Sequence, residues 1–215
     1  MASLADASAM RFSWTAAATA LPVALFLAGV AFFLARDVPN VPLHSPGREW
    51  RYALHIIGGS IVMLVAPFQF IAPIRNRFRR YHRWAGYAFV TGSLLTFAGY
   101  WLIQPTHRDT FFLSQTTAIC LWMAAMVAAV IAARRKHFLT HQHNMTRAFV
   151  IAIYFVLVRL IDPWGMALIT PFASEPVAAN AHSDWLAWVL PLVLVEVYYG
   201  RKWDRLLNRR GRSAS

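Results

Sequence analysis

The sequence predicts an all-α fold, a polytopic membrane helical bundle of six transmembrane helices with the N and C termini in the cytoplasm. Hydrophobic residues make up 58% of the 215 residues and charged residues only 14%, which is unusual for a soluble domain. The apolar residues form long uncharged runs, and most basic residues lie between those runs. We therefore expect a multi-pass protein of the bacterial inner (cytoplasmic) membrane.

Each predicted span is an apolar run close to the length of about 20 residues that crosses a bilayer as a helix. The first run is too long for a signal-peptide core and lacks a cleavage site, so we expect it to be a span. The fifth is interrupted by Arg159 and by Asp162-Pro163, and the sixth contains Glu196. The predicted spans are 15–35, 52–74, 84–106, 110–133, 145–169 and 185–199. They form a transmembrane domain over 15–203, between a cytoplasmic segment 1–14 and a basic cytoplasmic tail 204–215.

Loops rich in basic residues alternate along the chain with loops that contain few. This is the pattern expected when basic loops are retained in the cytoplasm. With the N terminus inside, most arginines and lysines fall on the cytoplasmic side, and the opposite side holds few. The cytoplasmic set is Arg11, Arg75, Arg77, Arg79, Arg80, Arg83, Arg134, Arg135, Lys136, Arg147, Arg201, Lys202, Arg205, Arg209, Arg210 and Arg212. Tryptophan and tyrosine residues cluster near the predicted span ends, as interface belts do.

The net charge of +12 indicates topology signals and contacts with anionic lipids at the cytoplasmic face, not binding of nucleic acid. The lipid bilayer is thus the predicted partner. Cys120 is the single cysteine, which excludes a disulfide or a thiolate metal cluster within the chain.

Small residues predict where the helices pack closely. In the fourth span, alanines recur four residues apart in two stripes. Glycines in the second and third spans are expected to act in the same way. The alanines are Ala124, Ala128 and Ala132 with Ala125, Ala129 and Ala133, and the glycines include Gly58, Gly59, Gly86 and Gly92.

A first polar group is predicted on the cytoplasmic side, where ionisable residues at membrane depth are functional candidates. His82 opens the third span and His141 opens the fifth, so their rings are expected at similar depth. Two such histidines can hold the iron of a b-type haem, with Arg83 and Arg147 pairing with its propionates. The same pair also suits a divalent metal or a proton relay, or only interfacial hydrogen bonds. His143 is the alternative ligand, turned about 200° from His141 on a helix.

The same cytoplasmic group also holds Gln69, Glu196 and His137. His137 and His141 have the i,i+4 spacing of two zinc ligands, but no third ligand of matching spacing accompanies them.

A second polar group is predicted at the outer side and comprises His55, Arg159 and Asp162. Arg159 and Asp162 are three residues apart and can pair on one helix face. The cluster is either a structural latch or a site for a quinone headgroup or a small anion.

Three motifs resemble those of the predicted bacterial membrane proteins labelled domain of unknown function 2306. They are His55 followed by PFQF, Arg75 before HRWAGY, and His141 with NMTR followed by Arg159-Leu160. The resemblance covers about 51–162, with Ala66 and Asn144 departing from the family pattern. It implies a shared bundle and polar set, without an established reaction. The characteristic positions are His55, Gln69, Arg75, His82, Arg83, Gly86, His141, Met145, Arg147 and Arg159.

The histidine arrangement is also similar, more distantly, to small transmembrane b-type cytochromes. On that analogy the protein is a haem electron-transfer protein with a quinone or another redox partner, and any enzyme activity is that of a membrane oxidoreductase. The alternative is a non-enzymatic transporter or accessory subunit that uses its histidine and arginine clusters without haem.

Overall fold

The computed structural model describes most of the chain after the first 22 residues. The described residues are 23–32, 34–36, 39, 47, 49–104, 111–169, 171 and 176–212, without the side chains of 73, 159–169, 176–180 and 207–212. Their regular structure is helical throughout, with no strand among them. The all-α prediction is therefore confirmed for this part of the chain.

Six helices follow a helical segment at 23–32 and 34–36. They are α1 (Glu49–Phe70), α2 (Ala72–Arg77), α3 (Arg79–Ile103), α4 (Phe112–Arg134), α5 (Phe138–Ile169) and α6 (Pro176–Arg212). By length and composition, α1, α3 and α4 can each cross a membrane. These three helices match the second, third and fourth predicted spans. The count of six spans and the cytoplasmic termini stay predictions, and residues 15–22 of the first predicted span lie outside the described residues.

The predicted boundaries of the second, fifth and sixth spans differ from those of the helices. The second run was expected to continue to residue 74, but α1 ends at Phe70 and a new helix, α2, follows. Ile71 between them has an extended backbone, and the first turn of α2 contains a proline. Proline lacks the N–H that would continue the preceding helix. The fifth helix begins at Phe138, before the predicted residue 145, and the sixth extends at both ends beyond 185–199.

The chain divides into two compact units, Met1–Thr96 and Phe97–Ser215. In the first unit, α1 and the first part of α3 cross at a pair of glycines. A Cβ built on Gly58 would lie 2.5 Å from the Thr96 nitrogen and 2.6 Å from the Gly92 oxygen. The glycine prediction is confirmed for Gly58 and Gly92. It is wrong for Gly86 as far as the described residues go, because a Cβ there would meet none of their atoms within 4 Å.

In the second unit, α4 packs on α5, and α5 packs on α6. The buried face of α4 consists largely of small residues around Trp122, which is 1% exposed. Ala118, Ala125, Ala129 and Ala132 are all buried on this helix. Small side chains let a neighbouring helix approach the backbone of α4 closely.

A tight turn joins α4 to α5. Lys136 has a positive φ of 60°, its N–H bonds the Ala133 oxygen, and the His137 N–H bonds the Ala132 oxygen. These two bonds form a Schellman motif, which ends a helix by satisfying its last carbonyls. The turn therefore brings the first residues of α5 back alongside the end of α4.

Candidate functional site

His141 lies one turn into α5 and points towards α4. Its Nδ1 atom is 2.9 Å from the backbone oxygen of Ala129. A carbonyl oxygen only accepts hydrogen bonds, so Nδ1 carries a proton and, in the neutral ring, Nε2 carries the lone pair. The ring can reach this carbonyl because the buried face of α4 is lined by alanines. A histidine held in this way by a backbone carbonyl has the tautomer and the fixed orientation of a metal ligand.

His143 points to a different helix, α6. Its ring stacks on Tyr199 with centroids 4.2 Å apart and planes 8° from parallel. Its Nε2 atom lies 3.3 Å from Oε2 of Glu196, an ion-pair distance without the alignment of a hydrogen bond. The prediction that His141 and His143 face different directions is confirmed, because one contacts α4 and the other α6.

Arg147 forms a two-pronged pair with Glu196 across the α5–α6 interface. Its Nε donates to Oε1 at 2.6 Å and its Nη2 to Oε2 at 2.5 Å. A third bond, from Nη1 to Oδ1 of Asn144, is 3.0 Å long. Bidentate arginine–carboxylate pairs of this kind fix the relative position of both side chains. The structure thus brings together His143, Arg147 and Glu196, which the sequence assigned to one side of the membrane.

Tyr199 completes this cluster between α5 and α6, which we call the α5–α6 cluster and define as His143, Asn144, Arg147, Glu196 and Tyr199. The ring of Tyr199 is 7% exposed, and its hydroxyl lies 3.0 Å from Thr146 Oγ1. Lys202 Nζ lies over the same ring at 5.3 Å. Tyr199 ends the sixth predicted span, where tyrosines were expected to form an interface belt, but it is a buried partner of His143. The sequence signal was its i,i+3 spacing from Glu196, which places both on one face of α6.

A second polar cluster, within the second unit, was missed by the sequence analysis. The Tyr154 hydroxyl donates to Oδ1 of Asp184 at 2.8 Å, and Trp188 Nε1 donates to Ser114 Oγ at 3.1 Å. All four side chains are less than 5% exposed. The sixth predicted span, 185–199, leaves Asp184 just outside it. The helix begins earlier, at Pro176, so Asp184 and Trp188 share a helix face and are buried together.

The predicted outer cluster of His55, Arg159 and Asp162 stays a prediction. His55 Nδ1 lies 3.0 Å from the Thr96 oxygen at the α1–α3 crossing. The side chains of Arg159 and Asp162, in the second half of α5, lie outside the described residues.

The pairing of His82 with His141 is also untested, since His82 belongs to the first unit and His141 to the second. His82 is half-buried in the first turn of α3, and the next residue, Arg83, is exposed. Within the described part of the chain, no group of three or more histidine, cysteine or acidic residues could hold a metal ion. The zinc pair of His137 and His141 therefore gains no third ligand there.

The sequence model of the family DUF2306, described as a predicted membrane protein, matches residues 52–199. This match confirms the resemblance and extends it to the end of the predicted sixth span, so that it includes Glu196 and Tyr199. No curated protein and no solved structure matches the chain.

Proposed function

The chain belongs to DUF2306, a family of predicted membrane proteins, and we propose that it binds a b-type haem in the bacterial inner membrane through His82 and His141. In this proposal it is a multi-pass protein with both termini in the cytoplasm and the haem near the cytoplasmic face. A haem with two histidine ligands exchanges single electrons. The proposed role is electron transfer to or from a quinone or another redox partner.

The observation that supports this proposal best is the orientation of His141. Its hydrogen bond to the Ala129 oxygen, 2.9 Å long, leaves Nε2 as the ring atom with a lone pair. Metal-bound histidines commonly donate their other N–H to a backbone carbonyl, which sets the tautomer and raises the basicity of the ligand. His82 is the second ligand in the proposal on the sequence alone, because it opens the third predicted span beside the basic residues assigned to the cytoplasmic side.

The propionate contacts predicted for Arg83 and Arg147 stay predictions, and we leave them out of the proposal. Arg147 already donates to Glu196 and Asn144. Arg83 is exposed and lies about 100° around the helix from His82.

The test is a visible absorption spectrum of the full chain, expressed with added haem and purified in detergent. Spectra are recorded before and after dithionite for the wild type and for His82→Ala, His141→Ala and His137→Ala. We expect sharp bands on reduction in the wild type, lost in the first two variants. His137→Ala is the matched control, because His137 is exposed one turn before His141 and should leave the bands unchanged.

Two results would overturn the haem proposal. One is a wild type that folds, elutes as a single species and is colourless although haem was supplied. The other is a spectrum that survives both His82→Ala and His141→Ala, which would assign the haem to other ligands.

A second candidate function is a non-enzymatic transporter or accessory subunit without haem. The α5–α6 cluster favours it, because a charged pair between two helices at membrane depth is a common element of ion and proton pathways. Proton flux into liposomes that contain the protein and a trapped pH dye tests the transporter version. We expect flux above that of empty liposomes and a clear reduction in Glu196→Gln. Equal flux with and without protein would contradict it.

A further inference from the structure

The corner between α1 and α3 carries five arginines on a rigid helical framework. Phe78 N–H bonds the Ile74 oxygen at 2.8 Å, and His82 N–H bonds the Phe78 oxygen at 3.0 Å, so hydrogen bonds continue from α2 into α3. The arginines are Arg75, Arg77, Arg79, Arg80 and Arg83, and all but Arg75 are exposed. Their backbone is held in place, which lowers the entropic cost of binding a ligand.

No acidic residue lies near this arginine corner in the sequence. Between Trp50 and Arg108 the chain contains neither aspartate nor glutamate. The helices α1, α2 and α3 therefore supply no carboxylate after Glu49 to neutralise the arginines. A concentration of positive charge of this kind attracts an anionic partner.

The exposed face of α3 identifies what kind of anionic partner fits. Arg80, Arg83, Trp84 and Tyr87 have the i, i+3, i+4, i+7 spacing of one helix face, and all four are exposed. Trp84 is 73% exposed and Tyr87 63%. Charged residues thus occupy the first turn of this face and aromatic residues the second. In membrane proteins, basic residues contact the lipid headgroups, and tryptophan and tyrosine lie next to them at the membrane interface.

The same exposed face continues into an apolar surface and ends in a second aromatic residue. Leu94 is 51% exposed and Trp101 40%. Trp84 and Trp101 are 17 residues apart, which corresponds to about 26 Å along a helix, close to the hydrocarbon thickness of about 30 Å. The face therefore matches lipid along its whole length, and its charged end matches the headgroup layer.

We propose that the arginine corner, with Trp84 and Tyr87, is a docking surface for anionic phospholipid headgroups, such as those of phosphatidylglycerol. Arg80 and Arg83 bind the headgroup phosphates, and the two aromatic rings lie against the adjoining acyl and glycerol region. The surface differs from the histidine site because it faces away from His82 on the helix. It requires only that α3 crosses the membrane.

The experiment measures the preference of the full chain for phosphatidylglycerol over phosphatidylcholine. The protein is reconstituted in bilayers that contain one spin-labelled lipid or the other, and the motionally restricted lipid fraction gives the relative association constant. We expect the wild type to prefer phosphatidylglycerol. In Arg80→Gln/Arg83→Gln this preference should fall by about fivefold or more, since one basic residue near an anionic surface contributes about that factor.

Two variants make the result specific. Arg201→Gln/Arg205→Gln removes the same charge from exposed positions of α6 and should change the preference much less. Arg80→Lys/Arg83→Lys keeps the charge and should retain most of it. A melting temperature near that of the wild type, measured by tryptophan fluorescence, confirms that each variant folds. If Arg80→Gln/Arg83→Gln does not fold, Arg77→Gln/Arg79→Gln replaces it.

Three outcomes would overturn the proposal. The first is that the wild type shows no preference between the two lipids. The second is that Arg80→Gln/Arg83→Gln and Arg201→Gln/Arg205→Gln lose the preference equally, which would indicate a general effect of net charge. The third outcome is that millimolar inorganic phosphate abolishes the preference at constant ionic strength. That result would identify a site for the free anion, not a surface for lipid.

Discussion

The α1–α3 crossing makes the sharpest prediction about stability, because two backbones meet there without room for a side chain. The Cβ of Gly58→Ala would lie 2.5 Å from the Thr96 nitrogen and 2.6 Å from the Gly92 oxygen. Ordinary contacts begin at 3.4 Å, so the helices would have to separate by up to about 0.9 Å. Backbone atoms cannot rotate away as the end of a flexible side chain can.

The expected size follows from two opposing contributions. Overpacking a tight contact costs about 1 to 3 kcal/mol, whereas alanine favours a helix over glycine by about 1 kcal/mol. We therefore expect Gly58→Ala to lower the free energy of unfolding by up to about 2 kcal/mol. The separation would also lengthen the contact between His55 Nδ1 and the Thr96 oxygen, now 3.0 Å.

The adjacent glycine provides the matched control. A Cβ on Gly59 would approach Thr96 Oγ1 no closer than 3.9 Å, so Gly59→Ala should be neutral or stabilise by up to about 1 kcal/mol. Both variants are unfolded reversibly in mixed micelles by increasing the fraction of denaturing detergent, with far-ultraviolet circular dichroism as the signal. Equal stability of Gly58→Ala and Gly59→Ala would refute the close crossing.

Two further predictions concern the second unit. Lys136→Gly should stabilise the chain by about 1 kcal/mol, because a non-glycine residue at φ 60° is strained. Arg135→Gly, at φ −81°, is the control and should not stabilise the chain. Thermal melts that rank the two variants the other way would contradict the turn geometry. Tyr154→Phe removes a hydrogen-bond donor from the buried carboxyl of Asp184 and should lower the free energy of unfolding by about 1.5 to 3 kcal/mol. Tyr198→Phe, at an exposed tyrosine, is the control and should change the unfolding midpoint little. Equal effects of the two changes would exclude a stabilising role for the Tyr154–Asp184 bond.

Hydrophobic runs predicted the helices that resemble ordinary membrane spans. The boundaries of α3 and α4 lie within a few residues of the expected 84–106 and 110–133, because twenty uncharged residues leave few alternatives to a helix in a bilayer. Polar helix ends were harder to recognise. The start of α5 is rich in polar residues, yet Asn144 bonds the Thr140 oxygen and Thr146 the Gln142 oxygen. Polar side chains that bond their own helix let it continue where hydropathy predicts an end.

The sequence predicted which polar residues of α5 and α6 lie at one level, but it predicted the rotation of each helix only partly. The charge pattern assigned His143, Arg147 and Glu196 to one side, and the structure joins them at distances of 3.3 Å or less. Their exact partners depend on which face of α5 meets α6, and hydropathy carries little of that information when a helix is apolar on most sides. Asp184 shows the same difficulty, since a carboxylate beside an apolar run is exposed in most proteins.

The position of Glu196 links the packing of this protein to its candidate chemistry. Arg147 and Glu196 hold α5 against α6, while the Schellman turn at Lys136 and the alanines of α4 hold the start of α5 against α4. His141 and His143 lie between these two attachments and are two residues apart, so one packs against each neighbour. A shift of α5 along its axis would therefore alter the His141–Ala129 contact and the His143–Glu196 contact together. Changes at Glu196 are therefore expected to alter the position of His141 through this shared helix. The absorption spectrum of Glu196→Gln, recorded beside that of His141→Ala, tests this coupling.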